Sequence, residues 1–280
     1  MTENTPKDFE KIVELLTRGS DSSTWSIIVT IFGDLAQNPK DEISGSLLSS
    51  LTRAIGIKPQ AMRVALHRLR RDGWILTTKN GRTSTHRLSD FGRDQSSIAR
   101  KRIYARTIVN PEKWHMVVAN PQTQKTNIEL VSNGYYAITP GIFIGEGIAP
   151  EATEEFMVIE GVLSNIPNWL KTTIADPGTI QEYSRLLKIL DGVRNSLDRG
   201  IRLSSLENVI IRILIVHNWR RIVLRQSDLS LEFLQIHSAI QCRIFVWELL
   251  NRLSRPALKT LHRGAGNQPL LNNRNNTNKN

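Results

Sequence analysis

The sequence predicts an α+β fold, and three observations in its N-terminal third carry that prediction. Residues 46–54 have helical apolar spacing and end at a tight turn over residues 55–57. A second, basic helix begins near Pro59 and stops before Gly73, and residues 74–88 have the pattern of two short strands. Helix, turn, basic helix and hairpin follow one another in the order of a winged helix-turn-helix, which binds DNA through its second helix.

The positive charge of the chain is concentrated in and just after this stretch. The 280 residues have a net charge of +11 at pH 7. Residues 53–106 alone contain 14 Lys or Arg and 3 Asp or Glu, a net of +11, whereas residues 1–52 have a net of −4 and residues 107–280 a net of +4. A local cationic excess is expected for a polyanionic partner, and a solvated charged face is the alternative.

Cysteine usage and hydropathy limit the cellular setting. Cys242 is the only cysteine, so an internal disulfide is impossible, which is compatible with a reducing compartment. No apolar run approaches the roughly 18 residues that a bilayer-spanning helix needs, and the polar N-terminus has no signal-peptide core. We therefore expect a cytoplasmic protein with no membrane partner, in which Cys242 is a small core residue.

The elements before the basic helix are expected to support it. Residues 1–23 predict one short helix, and Thr24 is the predicted N-cap of a helix over residues 25–36. Apolar residues recur there at helical spacing, although the β-branched run at residues 27–32 leaves a buried strand as an alternative. In the next helix, residues 46–54, the leucines supply the core face, and Gly56 suits the turn that follows.

The basic helix has a core face and an outer face that could contact DNA. Pro59 suits its first turn, and the core face comprises Met62, Ala65, Leu66 and Leu69. Arg bonds guanine and Gln bonds adenine, so Gln60 and Arg63 are the candidates for base edges. Arginines further along suit phosphates, although Arg68 could instead pair with an acid inside the domain. The predicted DNA contacts on this helix are Lys58, Gln60, Arg63, Val64, His67, Arg68, Arg70 and Arg71.

The hairpin that follows is the predicted wing. Asn80-Gly81 is the preferred pair for a type I′ turn, in which both central residues have positive φ. Lys79 and Arg82 flank this tip and are predicted to contact DNA as well. Ser89 is the expected cap of a further helix that ends near Tyr104.

Several of these motifs resemble the PaaX family of bacterial transcriptional regulators. The resemblance is carried by residues 26–34, 62–69, 72–74 and 87–93. It implies a homodimer that represses a catabolic operon, such as that for phenylacetate, by binding a palindromic double-stranded DNA operator. It also implies release by an acyl-CoA or aryl-CoA thioester, phenylacetyl-CoA in the type member, with no other cofactor and no metal.

The rest of the chain resembles the same family more weakly. Residues 114–118 and 133–144 are similar to strands of its central ferredoxin-like domain, but Gln122 replaces a usual acid. Residues 210–221 resemble its C-terminal helix with a His-x-Trp-Arg signature, and residues 228–234 its next loop. His217 and Arg220, three residues apart, share a helix face. They either form a structural hydrogen-bond network or, with Arg221, contact the effector.

These observations predict four regions and leave two other functions open. The regions are a winged helix-turn-helix domain at residues 1–105, a ferredoxin-like α+β domain at 106–180, a C-terminal helical domain at 181–262 and a disordered tail at 263–280. A metal-dependent nuclease on the central domain would need clustered carboxylates, and the acids there look like surface residues. A DNA-binding architectural protein that senses no ligand is the other alternative. We expect a regulator that is not an enzyme.

Overall fold

The structure, a computed structural model, describes residues 6–18, 23–106, 114–132, 135–146, 149–162, 165–175, 177–225 and 236–267. The predicted loop motif at residues 228–234 lies outside these ranges. The helices are α1 Pro6–Thr17, α2 Thr24–Leu35, α3 Gly45–Ala54, α4 Pro59–Arg71, α5 Asp90–Ile103, α6 Gln124–Ser132, α7 Asn168–Ile174, α8 Pro177–Asp198, α9 Ser205–Val223, α10 His237–Arg252 and α11 Leu258–Asn267. The strands are β1 Ile43–Ser44, β2 Ile75–Asn80, β3 Thr83–Leu88, β4 Trp114–Ala119, β5 Tyr136–Thr139, β6 Ile142–Glu146 and β7 Phe156–Gly161.

The chain divides into two compact units that do not follow the predicted boundaries. Unit 1 comprises Met1–Ile98, Gly200–His217 and Arg252–Asn280, and unit 2 comprises Ala99–Arg199 and Asn218–Asn251. Part of the predicted C-terminal helical domain therefore folds with the N-terminal elements. Apolar periodicity could not reveal this, because it indicates that a helix face is buried without indicating which element covers it.

Unit 1 contains the helices and hairpin expected of a winged helix-turn-helix. Its antiparallel sheet has the strand order β1-β3-β2, and α4 packs on α2, α3 and β2. Residues 27–32 lie inside α2 and are all buried, so the helix prediction is confirmed over the strand alternative. Leu47, Leu48 and Leu51 of α3 are fully buried, as their spacing predicts.

Two glycines end the helices of the helix-turn-helix in the same way. Gly56 has φ +85° and Gly73 has φ +74°, conformations that favour glycine. After α3, Gly56 N donates to Arg53 O and Ile57 N donates to Thr52 O, both at 2.9 Å, and the same pair of bonds closes α4. This is the Schellman arrangement, which satisfies carbonyl groups at a helix end. The turn and the end of the basic helix are thus set by local sequence.

Three local details differ from the prediction. The N-cap of α2 is Ser23, whose hydroxyl accepts from Ser26 N at 3.2 Å, so the helix begins one residue earlier than expected. The hairpin turn is Gly81-Arg82, because Asn80 pairs with Thr83 and belongs to the ladder. Helix α11 continues to Asn267, into the segment predicted as a tail from residue 263. Leu261, buried at 1% exposure, anchors that helix.

A buried ion pair joins distant parts of unit 1. Asp34, 1% exposed, accepts from Arg212 Nε at 2.8 Å and from Arg212 Nη2 at 3.0 Å. Arg212 also donates to Leu253 O at 3.1 Å, and Arg255 donates to the Asp34 carbonyl. These bonds satisfy buried charges that would otherwise be strongly unfavourable. They connect α2 with α9 and with the segment before α11.

Unit 2 is built on a four-stranded antiparallel sheet with the order β5-β6-β4-β7. Helix α6 contributes Leu130 to a core with Val117, Ala119 and Phe143. The described part of the connection between β6 and β7, residues 149–155, contains no helix. Among the helices, Trp219 donates from Nε1 to Ile103 O at 2.9 Å. Cys242 is fully buried, as expected for a small core residue.

Candidate nucleic-acid interface

Helix α4 has one buried side and one charged side. Met62, Ala65 and Leu69 are buried as predicted, and Leu66 is partly buried. The other side is exposed over the whole length of the helix, and Pro59 occupies its first turn, as predicted. All ten predicted DNA contacts are exposed, namely Lys58, Gln60, Arg63, Val64, His67, Arg68, Arg70, Arg71, Lys79 and Arg82.

The first half of α4 presents groups suited to base edges. Gln60 and Arg63 lie on its exposed side, where amide and guanidinium donors could reach adenine and guanine. Val64 is 61% exposed, and no described element covers this branched apolar side chain. An apolar group beside hydrogen-bonding side chains suits a thymine methyl, the one apolar group in the major groove.

The second half of α4 presents cations in weak surface pairs. Arg68 Nε lies 3.4 Å from Asp72 Oδ2, and Arg71 Nε lies 3.1 Å from Asp72 Oδ1. The Arg68 guanidinium also lies over the Trp25 ring, 5.8 Å from its centre. Exposed pairs of this kind contribute about 0–1 kcal/mol, so both arginines could exchange Asp72 for a phosphate at little expense.

The wing is supported by a buried histidine. His86 of β3 lies 3.0 Å by Nδ1 from Thr77 Oγ1 and 3.3 Å by Nε2 from Ser84 Oγ. Burial lowers the pKa of His86, and the positive charge of Arg70 lowers it further. The histidine is therefore neutral at pH 7 and bridges the two wing strands without adding charge beneath the basic surface.

An aromatic cluster holds the C-terminal end of α4 in place. The Trp74 ring, just after α4, meets Trp25 of α2 and Phe91 of α5 edge to face, with 5.6 Å between centres in both pairs. Ser89 caps α5, as predicted, by accepting from Gly92 N at 3.0 Å. These contacts fix the basic helix against α2 and α5.

Sequence reasoning missed a pocket behind the helix-turn-helix. Its volume is about 130 Å³, and its walls come from four segments of unit 1 that are distant in sequence. Three of its lining residues form the turn between α3 and α4. No sequence signal could have indicated it, because no single segment contributes more than three of its lining residues. They are Leu16, Thr17, Ile27, Ile55, Gly56, Ile57, Leu214 and His217.

The three predicted effector contacts all lie on α9, but in different units. His217 is 1% exposed, belongs to unit 1 and lines the pocket. Its Nδ1 lies 3.0 Å from Thr30 Oγ1, whose own proton is directed to Ser26 O. Which atom donates in the Thr30–His217 pair depends on the tautomer of His217. Arg220 and Arg221 are partly buried and belong to unit 2, and burial lowers the pKa of Arg220 while Tyr104 opposes that shift.

The helices, the Schellman-capped turn, the three-stranded sheet and the exposed basic α4 define a winged helix-turn-helix protein. Residues 23–92, which span α2 to the start of α5, match the family model described as PaaX-like protein. Within those residues, the chain is similar to PaaX-like proteins. It is 23% identical over 244 residues to the transcriptional repressor PaaX of Escherichia coli (strain K12), an alignment covering 76% of this chain and 75% of that protein.

The similarity to a transcriptional repressor favours the regulator over the enzymatic alternative. PaaX-family repressors are not enzymes, so these similarities give no support to the nuclease alternative. Within the described ranges, no three His, Cys, Asp or Glu side chains are grouped so that they could hold a metal ion. No helix in the described part of the chain is long and apolar enough to cross a membrane.

Proposed function

We propose that this protein represses a catabolic operon by binding a palindromic DNA operator as a homodimer, and that a CoA thioester releases it. The exposed basic side of α4 is the observation that most strongly supports DNA binding. Arg63 and Gln60 then select bases, and Arg68, Arg70, Arg71, Lys79 and Arg82 contact the backbone. A repressor acts where its operator DNA is, so we propose that the protein is cytoplasmic. A two-fold dimer would read two half-sites about one helical turn apart.

Replacing single arginines of α4 tests this division of roles. Arg63→Ala is expected to reduce discrimination against the wrong base by about 1–3 kcal/mol, because a bidentate contact to guanine is lost. Arg71→Ala is expected to weaken binding to every duplex about equally and to lower the salt slope by about 1, because it removes one phosphate contact. Selection from a randomised duplex library identifies the operator, and titration of operator and scrambled DNA at several salt concentrations measures both effects.

The two variants serve as controls for each other, since both remove one exposed arginine from the same helix. An Arg63→Ala protein with unchanged affinity and unchanged sequence preference would contradict the assignment of α4 as the recognition helix. Footprinting of the selected operator provides a separate check. Protection of a single half-site at saturation would contradict the dimer.

We propose that the acyl end of the effector enters the pocket behind the helix-turn-helix. A dry cavity of about 150 Å³ binds benzene, so a pocket of about 130 Å³ is of the size for one aromatic ring. The turn that lines the pocket sets the angle between α3 and α4. If α3 and α4 can adopt two angles, a ligand that binds better to one of them changes the fraction of the protein whose conformation fits DNA. Separately from this pocket, Arg220 and Arg221 of unit 2 are proposed phosphate contacts, on the planar donors of their guanidinium groups.

A thermal shift with a panel of acyl-CoA esters tests the sensing role. A ligand at one hundred times its Kd stabilises the native state by about 2.7 kcal/mol, which corresponds to roughly 5–10 °C in a chain of this size. Ile57→Trp places a bulky ring at the pocket and is expected to abolish the shift. Ile98→Trp, at a 63% exposed position outside the pocket lining, is the matched control. Absence of any shift with wild-type protein would favour the non-sensing architectural role.

We also propose that the sheet of unit 2 is a ferredoxin-like domain. Numbered in chain order, its strands lie in the sequence 4-1-3-2, with the α6 crossover between the first and second strands. The domain departs from the ferredoxin-like pattern in the connection from β6 to β7, because the described residues of that connection contain no helix. A crystal structure of the chain in which these four strands had another order would contradict this assignment.

A further inference from the structure

The C-terminal helix α11 is attached to the first helix of the helix-turn-helix. Leu261 is 1% exposed, and α11 packs on α3. On the neighbouring side of α11, His262 Nε2 accepts a hydrogen bond from Ser44 N at 3.3 Å. Ser44 is the N-cap of α3, since its hydroxyl accepts from Leu47 N at 3.2 Å. One buried side chain and one hydrogen bond thus fix α11 at the start of α3.

The start of α3 lies directly beside the wing. Ser44 pairs with Thr85 of β3. Gly45 approaches β3 so closely that a Cβ atom there would lie 2.8 Å from Ser84 Oγ. Ser84 pairs with Lys79, and β3 begins immediately after Arg82 at the hairpin turn. Helix α11 is therefore next to the strand that leads into the predicted DNA contacts of the wing.

Helix α11 carries two cations on its outer side. Lys259 and Arg263 are exposed and lie four residues apart, so they are neighbours on the helix surface, and both point away from the side that buries Leu261. Within the described residues neither side chain has an acidic partner. Uncompensated cations beside a DNA-binding surface strengthen binding through the phosphate backbone.

We propose that α11 extends the DNA-binding surface beyond the winged domain, and that Lys259 and Arg263 contact phosphates of the strand beside the wing. The inference rests on the proposed DNA-binding function and adds a second surface to it. Phosphate contacts carry no sequence information, so α11 contributes affinity and register rather than specificity. On the wing side, the protein then contacts a longer stretch of operator DNA than α4 and the hairpin alone would contact.

The salt dependence of DNA binding tests this role. The Lys259→Ala, Arg263→Ala double variant is expected to lower the slope of log K against log salt by about 2, because each phosphate contact contributes about 0.9. Operator and scrambled duplex should weaken by the same factor. The control is the Arg185→Ala, Lys188→Ala double variant on α8, which removes the same charge from exposed positions of unit 2. Its slope should equal that of the wild type.

A cross-linking experiment gives an independent readout. A photo-reactive group on Arg263→Cys should cross-link to operator DNA flanking the wing contacts, and the same group on Lys188→Cys should not. Cys242 is fully buried, so the introduced cysteine is the one that reacts in the native protein. Thermal unfolding confirms that each variant is folded before DNA is added.

The outcomes separate this inference from the proposed function. An unchanged slope in the α11 double variant, or a slope lowered equally by the α8 variant, would overturn the role of α11. A label at position 263 that fails to cross-link would do the same. If wild-type protein shows no preference for any duplex, the proposed function fails as well, and Arg63→Ala would then also be without effect on preference.

Discussion

Replacing Asp34 with alanine is expected to destabilise unit 1 by about 3–5 kcal/mol. Asp34 holds the guanidinium of Arg212 by two hydrogen bonds, at 2.8 and 3.0 Å, in a site where both side chains are at most 10% exposed. Without the carboxylate, the buried positive charge of Arg212 loses its acidic partner, and α9 loses one of its polar contacts with α2. Urea denaturation followed by tryptophan fluorescence measures the effect, because Trp25 and Trp74 both lie in unit 1.

The matched control is a pair with similar geometry on the surface. Glu14 of α1 and Arg18, the residue after α1, are 2.7 Å apart but 64% and 72% exposed, so Glu14→Ala should change stability by only about 0.3–0.5 kcal/mol. A combined Asp34→Ala, Arg212→Leu variant should be more stable than Asp34→Ala alone, because the unpaired charge is gone. Strict additivity of the two single changes would contradict a direct interaction between the side chains.

Gly92→Ala is expected to destabilise the winged domain by about 3 kcal/mol and to weaken DNA binding. A Cβ atom at Gly92 would lie 2.2 Å from the carbonyl oxygen of Trp74 and 3.1 Å from its carbonyl carbon. Ser89 N donates to the same oxygen at 3.0 Å, so this backbone cannot move aside freely. Helix α5 would have to shift away from the residue that joins α4 to the wing, with a strain typical of overpacked cores.

Gly33→Ala is the comparison for this change, since Gly33 is also a helical glycine of unit 1. Its added Cβ would meet only Ser96 Oγ, at 3.9 Å, which is an ordinary contact. Alanine there should therefore stabilise the protein by about 0.5–1 kcal/mol. Melting temperatures of both variants and titration with operator DNA check the contrast. Equal melting temperatures of the Gly92→Ala and Gly33→Ala variants would contradict the close packing of α5 on Trp74.

The sequence alone determined the order and the local endings of the winged helix-turn-helix. Helical spacing identified the buried side of α4, and Gly56 and Gly73 marked its ends, because these features depend on residues within one or two turns of each other. The exposed side of α4 followed from the same periodicity. Eight candidate DNA contacts could therefore be named on the basic helix and two more at the hairpin tip. Small errors remained where two neighbouring residues were equally suitable, as for the N-cap Ser23 and the hairpin turn at Gly81-Arg82.

Only the tertiary structure decided which distant segments come together. The apolar run of α9 indicates that this helix is buried, but not that Arg212 meets Asp34, 178 residues earlier in the chain, or that His217 lies behind the turn before α4. The same spacing made His217 and Arg220 neighbours on one helix, whereas packing assigned them to different units. Packing also placed α11 at the start of α3, beside the wing. Such contacts depend on the packing of whole elements, which local sequence does not encode.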